Sequence, residues 1–159
     1  LGTTSVPIIV ADVDDDGDSD LIWAMGHDYG VYWLEQTTEE GRRAWRKHLI
    51  DDSWSVGHSP LWVDLDMNGR PEFVNGKRYR AHELRDPGAT DPQVIYRYEF
   101  DPAAGKFIRY DIMPKGGPAG FGLDPKAVDL DGDGDLDLVT PGRSGLYWFE
   151  NTLTSPSTK

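Results

Sequence analysis

The clearest candidates for a functional role are three short acidic loops. Each fits the pattern Asp-x-Asp-x-(Asp/Asn)-Gly-x-x-(Asp/Glu), and the three copies begin at Asp12, Asp64 and Asp129. A hard cation such as Ca²⁺ takes about six to eight oxygen ligands, which alternate positions of a tightly turned loop can supply. The glycine permits the sharp turn, the residue after it offers a backbone carbonyl, and the last carboxylate closes the site. The pattern therefore predicts up to three calcium ions.

The predicted calcium ligands occupy equivalent positions in the three loops. They are Asp12, Asp14, Asp16, Asp18 and Asp20; Asp64, Asp66, Asn68, Arg70 and Glu72; and Asp129, Asp131, Asp133, Asp135 and Asp137. The second loop has one negative ligand fewer, so we expect it to bind most weakly. An EF-hand needs a carboxylate at the twelfth position, where these loops have Trp23, Asn75 and Thr140. Solvated acidic turns without metal are the alternative, which three copies in register disfavour.

Short strands must position these loops. An aromatic strand follows each loop, at residues 31–35, 95–99 and 146–150, and a further strand follows the first two, at residues 45–50 and 106–112. This repeating order of an acidic loop followed by short strands predicts an all-β fold. We expect about three four-stranded antiparallel propeller blades, the last incomplete. The expected blades are residues 6–51, 60–112 and 126–151, within one propeller segment that spans residues 1–159 and ends in a flexible tail at 152–159.

Three blades cannot close a propeller ring, which needs about four or more. We therefore expect an open fragment of a larger propeller, whose parent chain supplies further blades, or a ring completed by self-assembly. The missing fourth strand of the last blade could come from residues 2–6 or from another chain.

Composition limits the classes of partner. The 159 residues include 16 Lys and Arg against 28 Asp and Glu, for a formal net charge of −12. This charge argues against nucleic acid and anionic membrane surfaces as partners. No apolar run is long enough for membrane insertion. The absence of cysteine excludes disulfides, thiolate zinc sites and cysteine nucleophiles.

A second candidate site lies in the long link of the middle blade, residues 75–92. Its candidate anion-binding residues are Lys77, Arg78 and Arg80. The candidate proton-transfer residues are Tyr79 and His82 in the link, together with His58, which precedes the first strand of the same blade and is expected to share its propeller face. Such a set could bind a carboxylate-bearing sugar and move a proton on it. The alternative is that the cations pair with neighbouring acids while Tyr79 packs on the blade.

The remaining imidazole and aromatic side chains are expected to be structural. His27 lies in a tight link and His48 on a strand, and neither has metal-ligand spacing to another histidine. Three aromatic pairs are expected in the core between blades: Tyr32 and Trp33, Tyr96 and Tyr98, and Tyr147 and Trp148. The alternative is that one residue of each pair is exposed and stacks on a sugar.

The acidic loops with their strand pairs resemble FG-GAP/VCBS-type repeats, the calcium-loop β-propeller units also found in integrin α-subunits. The resemblance covers about residues 6–151. It implies a propeller with calcium-binding loops in an extracellular or periplasmic protein, and the family includes adhesion domains, lectins, polysaccharide lyases and sugar dehydratases. The integrin Phe-Gly and Gly-Ala-Pro signatures are not in register here, since Phe121-Gly122 is isolated.

Two function classes follow from these observations. The first is a non-catalytic calcium-binding propeller module for binding or scaffolding, with a carbohydrate or another protein as partner. The second is part of a carbohydrate-active enzyme, a polysaccharide lyase or sugar dehydratase, with its site on the middle-blade link.

Overall fold

The computed structural model describes residues 6–153 of the chain. Within that range the chain forms eleven β-strands and one short 3₁₀ turn. The strands are β1 (Ile9–Ala11), β2 (Asp20–Ala24), β3 (Tyr29–Glu39), β4 (Arg42–Ser55), β5 (Leu61–Val63), β6 (Glu72–Gly76), β7 (Ile95–Asp101), β8 (Lys106–Met113), β9 (Lys126–Val128), β10 (Asp137–Gly142) and β11 (Gly145–Phe149), and the turn is Ala81–Leu84. None of the helical residues described forms a segment long and apolar enough to cross a membrane.

The strands form three antiparallel sheets that follow one another along the chain. The first contains β1 to β4 and the second β5 to β8, each in sequence order, while the third contains only β9, β10 and β11. The predicted all-β fold of blade-like sheets, with an incomplete last sheet and no closed ring, is confirmed. The segment 2–5 and the end of the predicted tail, residues 154–159, lie outside the described residues.

The middle sheet is buried on both faces. Alternate residues of a strand point to opposite faces, so the neighbours Phe73 and Val74 enter different cores. Phe73 packs in a cluster with Trp33 of the first sheet. Val74 and Ile95 pack in a second cluster with Leu138 of the third sheet. The three sheets are therefore stacked face to face, as consecutive blades are.

The aromatic pairs divide between core and surface. Trp33, Tyr96 and Tyr98 are buried, as expected. Trp148 is 49% exposed, and the expectation that it lies in a core is wrong. The physical reason is that no further sheet covers the outer face of β11 within residues 6–153.

Hydrogen bonds join the first and second sheets through Asp51. The indole N–H of Trp54 donates to the Tyr98 hydroxyl at 2.7 Å, and that hydroxyl donates to Asp51 at 2.8 Å. Arg109 also donates to Asp51, at 3.0 Å. Burial alone would raise the pKa of Asp51, but hydrogen bonds from Ser53, Tyr98 and Arg109 outweigh it and hold the pKa below its usual value.

Candidate metal-binding sites

The three acidic loops occupy the same place in their sheets. Each connects the first strand to the second: β1 to β2, β5 to β6 and β9 to β10. Gly17, Gly69 and Gly134 have φ values of 93°, 90° and 100°, a region that favours glycine because a Cβ would be strained there. The loops are thus three copies of one local structure.

The first aspartate of each loop organises the turn. Asp12 accepts hydrogen bonds from the backbone N–H groups of Asp16, at 3.1 Å, and Gly17, at 3.0 Å. Asp64 and Asp129 also each accept two backbone N–H groups from their own loops. The chain is thereby curled around a carboxylate at the start of each loop.

The carboxylates of each loop converge. One oxygen from each member of a group lies within 4.8 Å of the others, and the groups are Asp12, Asp14 and Asp16; Asp64, Asp66 and Glu72; and Asp129, Asp131 and Asp133. In the first loop, Oδ1 of Asp14 is buried with no hydrogen-bond partner among residues 6–153. Burial, with the nearby charges of Asp16 and Asp20, raises the pKa of Asp14.

The closing carboxylates of the loops have different surroundings. Asp20 is buried and accepts the backbone N–H groups of Val13, at 3.3 Å, and Gln36, at 2.8 Å. Asp137 likewise accepts two backbone N–H groups. Glu72 joins the converging carboxylates of its loop, whereas Asp20 and Asp137 are outside the converging groups found among the described residues. Asp20 and Asp137 therefore stabilise the ends of their loops by hydrogen bonds to the backbone.

The second loop already has a cation beside it. Nη1 of Arg97 lies 3.4 Å from Oε1 of Glu72 and 3.7 Å from Oδ2 of Asp66. Burial raises the pKa of Glu72 to about 7, although the Arg97 charge acts in the opposite direction. A positive side chain at these carboxylates competes with a metal ion for them.

The residues expected to ligate through their carbonyls follow the loop glycines. The backbone N–H groups of Asp18, Arg70 and Asp135 donate to the fifth-position side chains of their loops, at 2.8, 2.8 and 3.1 Å. The Arg70 side chain forms an ion pair with Asp15 of the first loop at 2.8 Å. This pair joins two neighbouring loops at the surface.

The candidate site on the middle-blade link is only partly assembled. Lys77 is fully buried, and its ammonium group donates to Oγ of Ser55 at 2.9 Å. It therefore lies inside the protein and does not belong to a surface cationic patch. Arg80 lies over the ring of Tyr79, at 5.2 Å from its centroid. Nη1 of Arg78 lies 3.3 Å from Nε2 of His82.

Two of the three candidate proton-transfer residues, His58 and His82, lie close together. His27, which was expected to be structural, lies beside them. The histidine cluster consists of His27, His58 and His82, with ring centroids separated by 5.6 Å (27 to 58), 4.3 Å (27 to 82) and 5.0 Å (58 to 82). Tyr79 instead lines a cavity with Leu123 and Pro141. Burial is the main reason that the pKa of His58 is lowered to about 4.

Backbone hydrogen bonds bring the three histidine-bearing segments together. Gly57 donates to the Met25 carbonyl at 3.0 Å, and Val56 donates to the Asp28 carbonyl at 3.1 Å. Arg78 in turn donates to the Val56 carbonyl at 3.0 Å. The β2–β3 hairpin, the connection after β4 and the link after β6 thus form one unit. Sequence spacing could not reveal His27 as a member, because this pairing joins positions that are distant along the chain.

Comparison with known protein families agrees with the geometry. Residues 12–74, which include the first two acidic loops, match the family described as FG-GAP-like repeat. The predicted resemblance is confirmed over these residues. No curated protein matches the chain.

Proposed function

We propose, from the match of residues 12–74 to the FG-GAP-like repeat family, that the chain is a calcium-stabilised β-propeller repeat module with a non-catalytic binding or scaffolding role. The observation that carries the proposal is the presence of three acidic loops at the same place in three successive sheets. One coincidental cluster of carboxylates is common on protein surfaces. A threefold repetition with the same glycine geometry is better explained by a shared ligand.

The first loop offers additional support. Oδ1 of Asp14 is buried without a hydrogen-bond partner in the described part of the chain, which is costly for a carboxylate oxygen. A calcium ion coordinated by Asp12, Asp14 and Asp16 would satisfy that oxygen and offset the repulsion among the three charges.

Thermal unfolding tests this role directly. The full chain is melted in EDTA, in millimolar CaCl₂ and in millimolar MgCl₂ at matched ionic strength. A ligand at ten times its Kd adds about 1.4 kcal/mol per site, which for a chain of this size raises Tm by roughly 3–6 °C. We expect a calcium-specific rise that is smaller in Asp129→Asn and unchanged in Asp124→Asn. Equal Tm values in EDTA and calcium would contradict the proposal.

We propose an extracellular or periplasmic setting for this module. Sites on extracellular modules commonly bind calcium with Kd values of about 0.1–1 mM, which suits loops whose ligands come from one short segment. The partner is proposed to be a carbohydrate or another protein, since the net charge of −12 disfavours polyanions. Pull-down with immobilised neutral and anionic glycans, with and without calcium, tests for a carbohydrate partner.

A second candidate function is supported by the approach of Arg78 to His82 beside His58. A guanidinium next to two imidazoles could bind a sugar carboxylate and exchange a proton, as a polysaccharide lyase requires. Incubation with uronate-containing polysaccharides tests this, because β-elimination produces an unsaturated uronate that absorbs in the ultraviolet. No absorbance change, or an equal change with Arg78→Gln and His82→Gln, would remove this candidate.

A further inference from the structure

We propose that His27, His58 and His82 form a transition-metal site, with zinc as the expected ion and the fourth coordination position open. One nitrogen from each ring lies within 4.8 Å of the others. Nitrogens bound to one tetrahedral zinc at about 2.0–2.1 Å are roughly 3.3 Å apart. A small movement of the rings therefore suffices, and the His27 side chain, which is 49% exposed, is free to make it.

The hydrogen bonds of the three rings leave the same nitrogen available in each. Nδ1 of His58 lies 3.3 Å from the Val56 carbonyl, which can only accept, so this nitrogen carries the proton. Nδ1 of His27 lies 3.3 Å from Oδ1 of Asp86, and Nδ1 of His82 hydrogen-bonds to Oδ2 of the same carboxylate. Each neutral ring then has an unprotonated Nε2 whose lone pair can act as a ligand, and that of His82 faces Arg78.

Asp86 has the position that a supporting carboxylate takes in histidine metal sites. Metal-bound imidazoles usually donate their second N–H to a carboxylate or backbone carbonyl, which fixes ring orientation and increases basicity. Here Asp86 serves two ligands at once and Val56 serves the third. Asp86 is a positioning residue in this arrangement and does not contact the metal.

The contact of Arg78 with His82 indicates which ring nitrogen of His82 has the lone pair. A guanidinium can only donate, so its Nη1 at 3.3 Å from Nε2 of His82 indicates that this nitrogen is unprotonated. The interaction places a positive group where a metal ion would bind. Metal binding must displace the Arg78 side chain from Nε2.

The backbone around the cluster is strained. Val56 has φ of 65° and His82 has φ of 47°, values that are uncommon for residues other than glycine and especially so for a β-branched side chain. Strain of this kind persists only where surrounding structure enforces it, and it is concentrated at functional sites. Both strained residues belong to the cluster or to its hydrogen-bond partners.

Ligand chemistry distinguishes this site from the acidic loops. Imidazole nitrogens suit zinc, copper, nickel and cobalt, whereas calcium prefers oxygen. Three histidines with an open fourth position leave room for water or for a donor group from a bound partner. The acidic loops and the histidine cluster are therefore expected to bind different metals independently.

Zinc titration of the full chain in saturating CaCl₂ tests the site. Competition with a chromophoric chelator should give one zinc per chain, and Co²⁺ should give the visible absorption of a four-coordinate site with three nitrogen ligands. We expect His27→Gln and His82→Gln to weaken zinc affinity at least about tenfold, and Asp86→Asn about 10–100-fold. His48→Gln, which changes the one histidine outside the cluster, should leave affinity unchanged.

Three outcomes of the zinc titration would overturn the proposal. The cluster is not a metal site if the wild-type chain does not bind zinc, or if calcium competes with the zinc. Equal zinc affinities of His27→Gln and His48→Gln would lead to the same conclusion. His27→Gln retains all acidic loops, so its calcium-induced rise in Tm reports on the calcium role separately. Failure of one assignment is thus distinguishable from failure of the other.

Discussion

At the residue scale, Arg78 controls access of a cation to the histidine cluster. Its positively charged guanidinium lies 3.3 Å from Nε2 of His82. We predict that Arg78→Gln raises zinc affinity by roughly tenfold, since a repulsion of about 1.4 kcal/mol is removed. Chelator competition measures the change. Arg80→Gln is the matched control, because Arg80 lies over Tyr79, and an unchanged affinity in Arg78→Gln would refute this role.

His58 should give the metal-free protein a pH-dependent stability. Burial lowers its pKa in the folded chain to about 4, below the ordinary value near 6.5. Between these pH values the unfolded chain binds the proton more tightly. The contribution of His58 to the free energy of unfolding is therefore fully present above pH 6.5. It falls by up to about 3 kcal/mol as pH decreases toward 4.

Urea denaturation in EDTA between pH 7 and pH 4.5 measures this dependence. The slope should become smaller in His58→Gln and persist in His48→Gln, which lies outside the cluster. An identical pH dependence in wild type and His58→Gln would mean that His58 does not titrate as its burial implies.

At the scale of single elements, the first acidic loop has a group of converging carboxylates and a separate carboxylate that hydrogen-bonds to its strands. Asp20 accepts backbone N–H groups from Val13, after β1, and from Gln36 in β3. Asp14 belongs to the converging carboxylates. The two aspartates should therefore respond differently to substitution.

We predict that Asp20→Asn destabilises the protein by about 1–3 kcal/mol in EDTA and calcium alike, because an amide N–H₂ would face a backbone N–H. Asp14→Asn should raise stability slightly in EDTA, because it removes a charge that burial and its neighbours disfavour, and it should reduce the calcium-induced rise in Tm. Thermal melts of both variants in the two buffers provide the test. An Asp20→Asn effect seen only in calcium would instead make Asp20 a direct ligand.

The acidic loops could be predicted from the sequence because their members are close along the chain and repeat in register. The histidine cluster could not, because residues 27, 58 and 82 meet only through pairing between β-hairpins and connections. Lys77 suggested a surface cation, yet its backbone pairs with Gly57 and draws the side chain into the interior. The burial of Lys77 depends on how neighbouring sheets pack, and the local sequence pattern carries no information about that packing.

At the scale of the whole molecule, the three sheets hold together through two cores and the hydrogen bonds at Tyr98. The Tyr98 hydroxyl connects β7 of the second sheet to Trp54 and Asp51 of the first. Tyr98→Phe leaves the buried Trp54 N–H without its partner. We predict a loss of about 1–3 kcal/mol and a fall in Tm of roughly 2–10 °C.

Tyr110→Phe is the matched control, since Tyr110 is 39% exposed and lies outside this interface. Calorimetry of both variants gives the comparison. Equal Tm values for Tyr98→Phe and wild type would show that the interface depends on apolar packing alone.

Exposed surface on the third sheet fits a module that continues into further blades. Leu146 is 74% exposed and Trp148 is 49% exposed on β11, the edge strand of that sheet. Blades from a longer parent chain, or from another copy, would cover these side chains as the second sheet covers Trp33. This supports the proposed propeller, in which the described sheets are a segment.

Calcium stoichiometry tests whether the three acidic loops bind calcium. Equilibrium dialysis of the full chain against CaCl₂ should give three calcium ions per chain. The second loop should fill last, because Arg97 already lies against Glu72 and Asp66. The combined variant Asp12→Asn, Asp64→Asn and Asp129→Asn should bind none. Absence of calcium binding by the wild-type chain, or equal binding by this variant, would contradict the account of the loops as structural calcium sites.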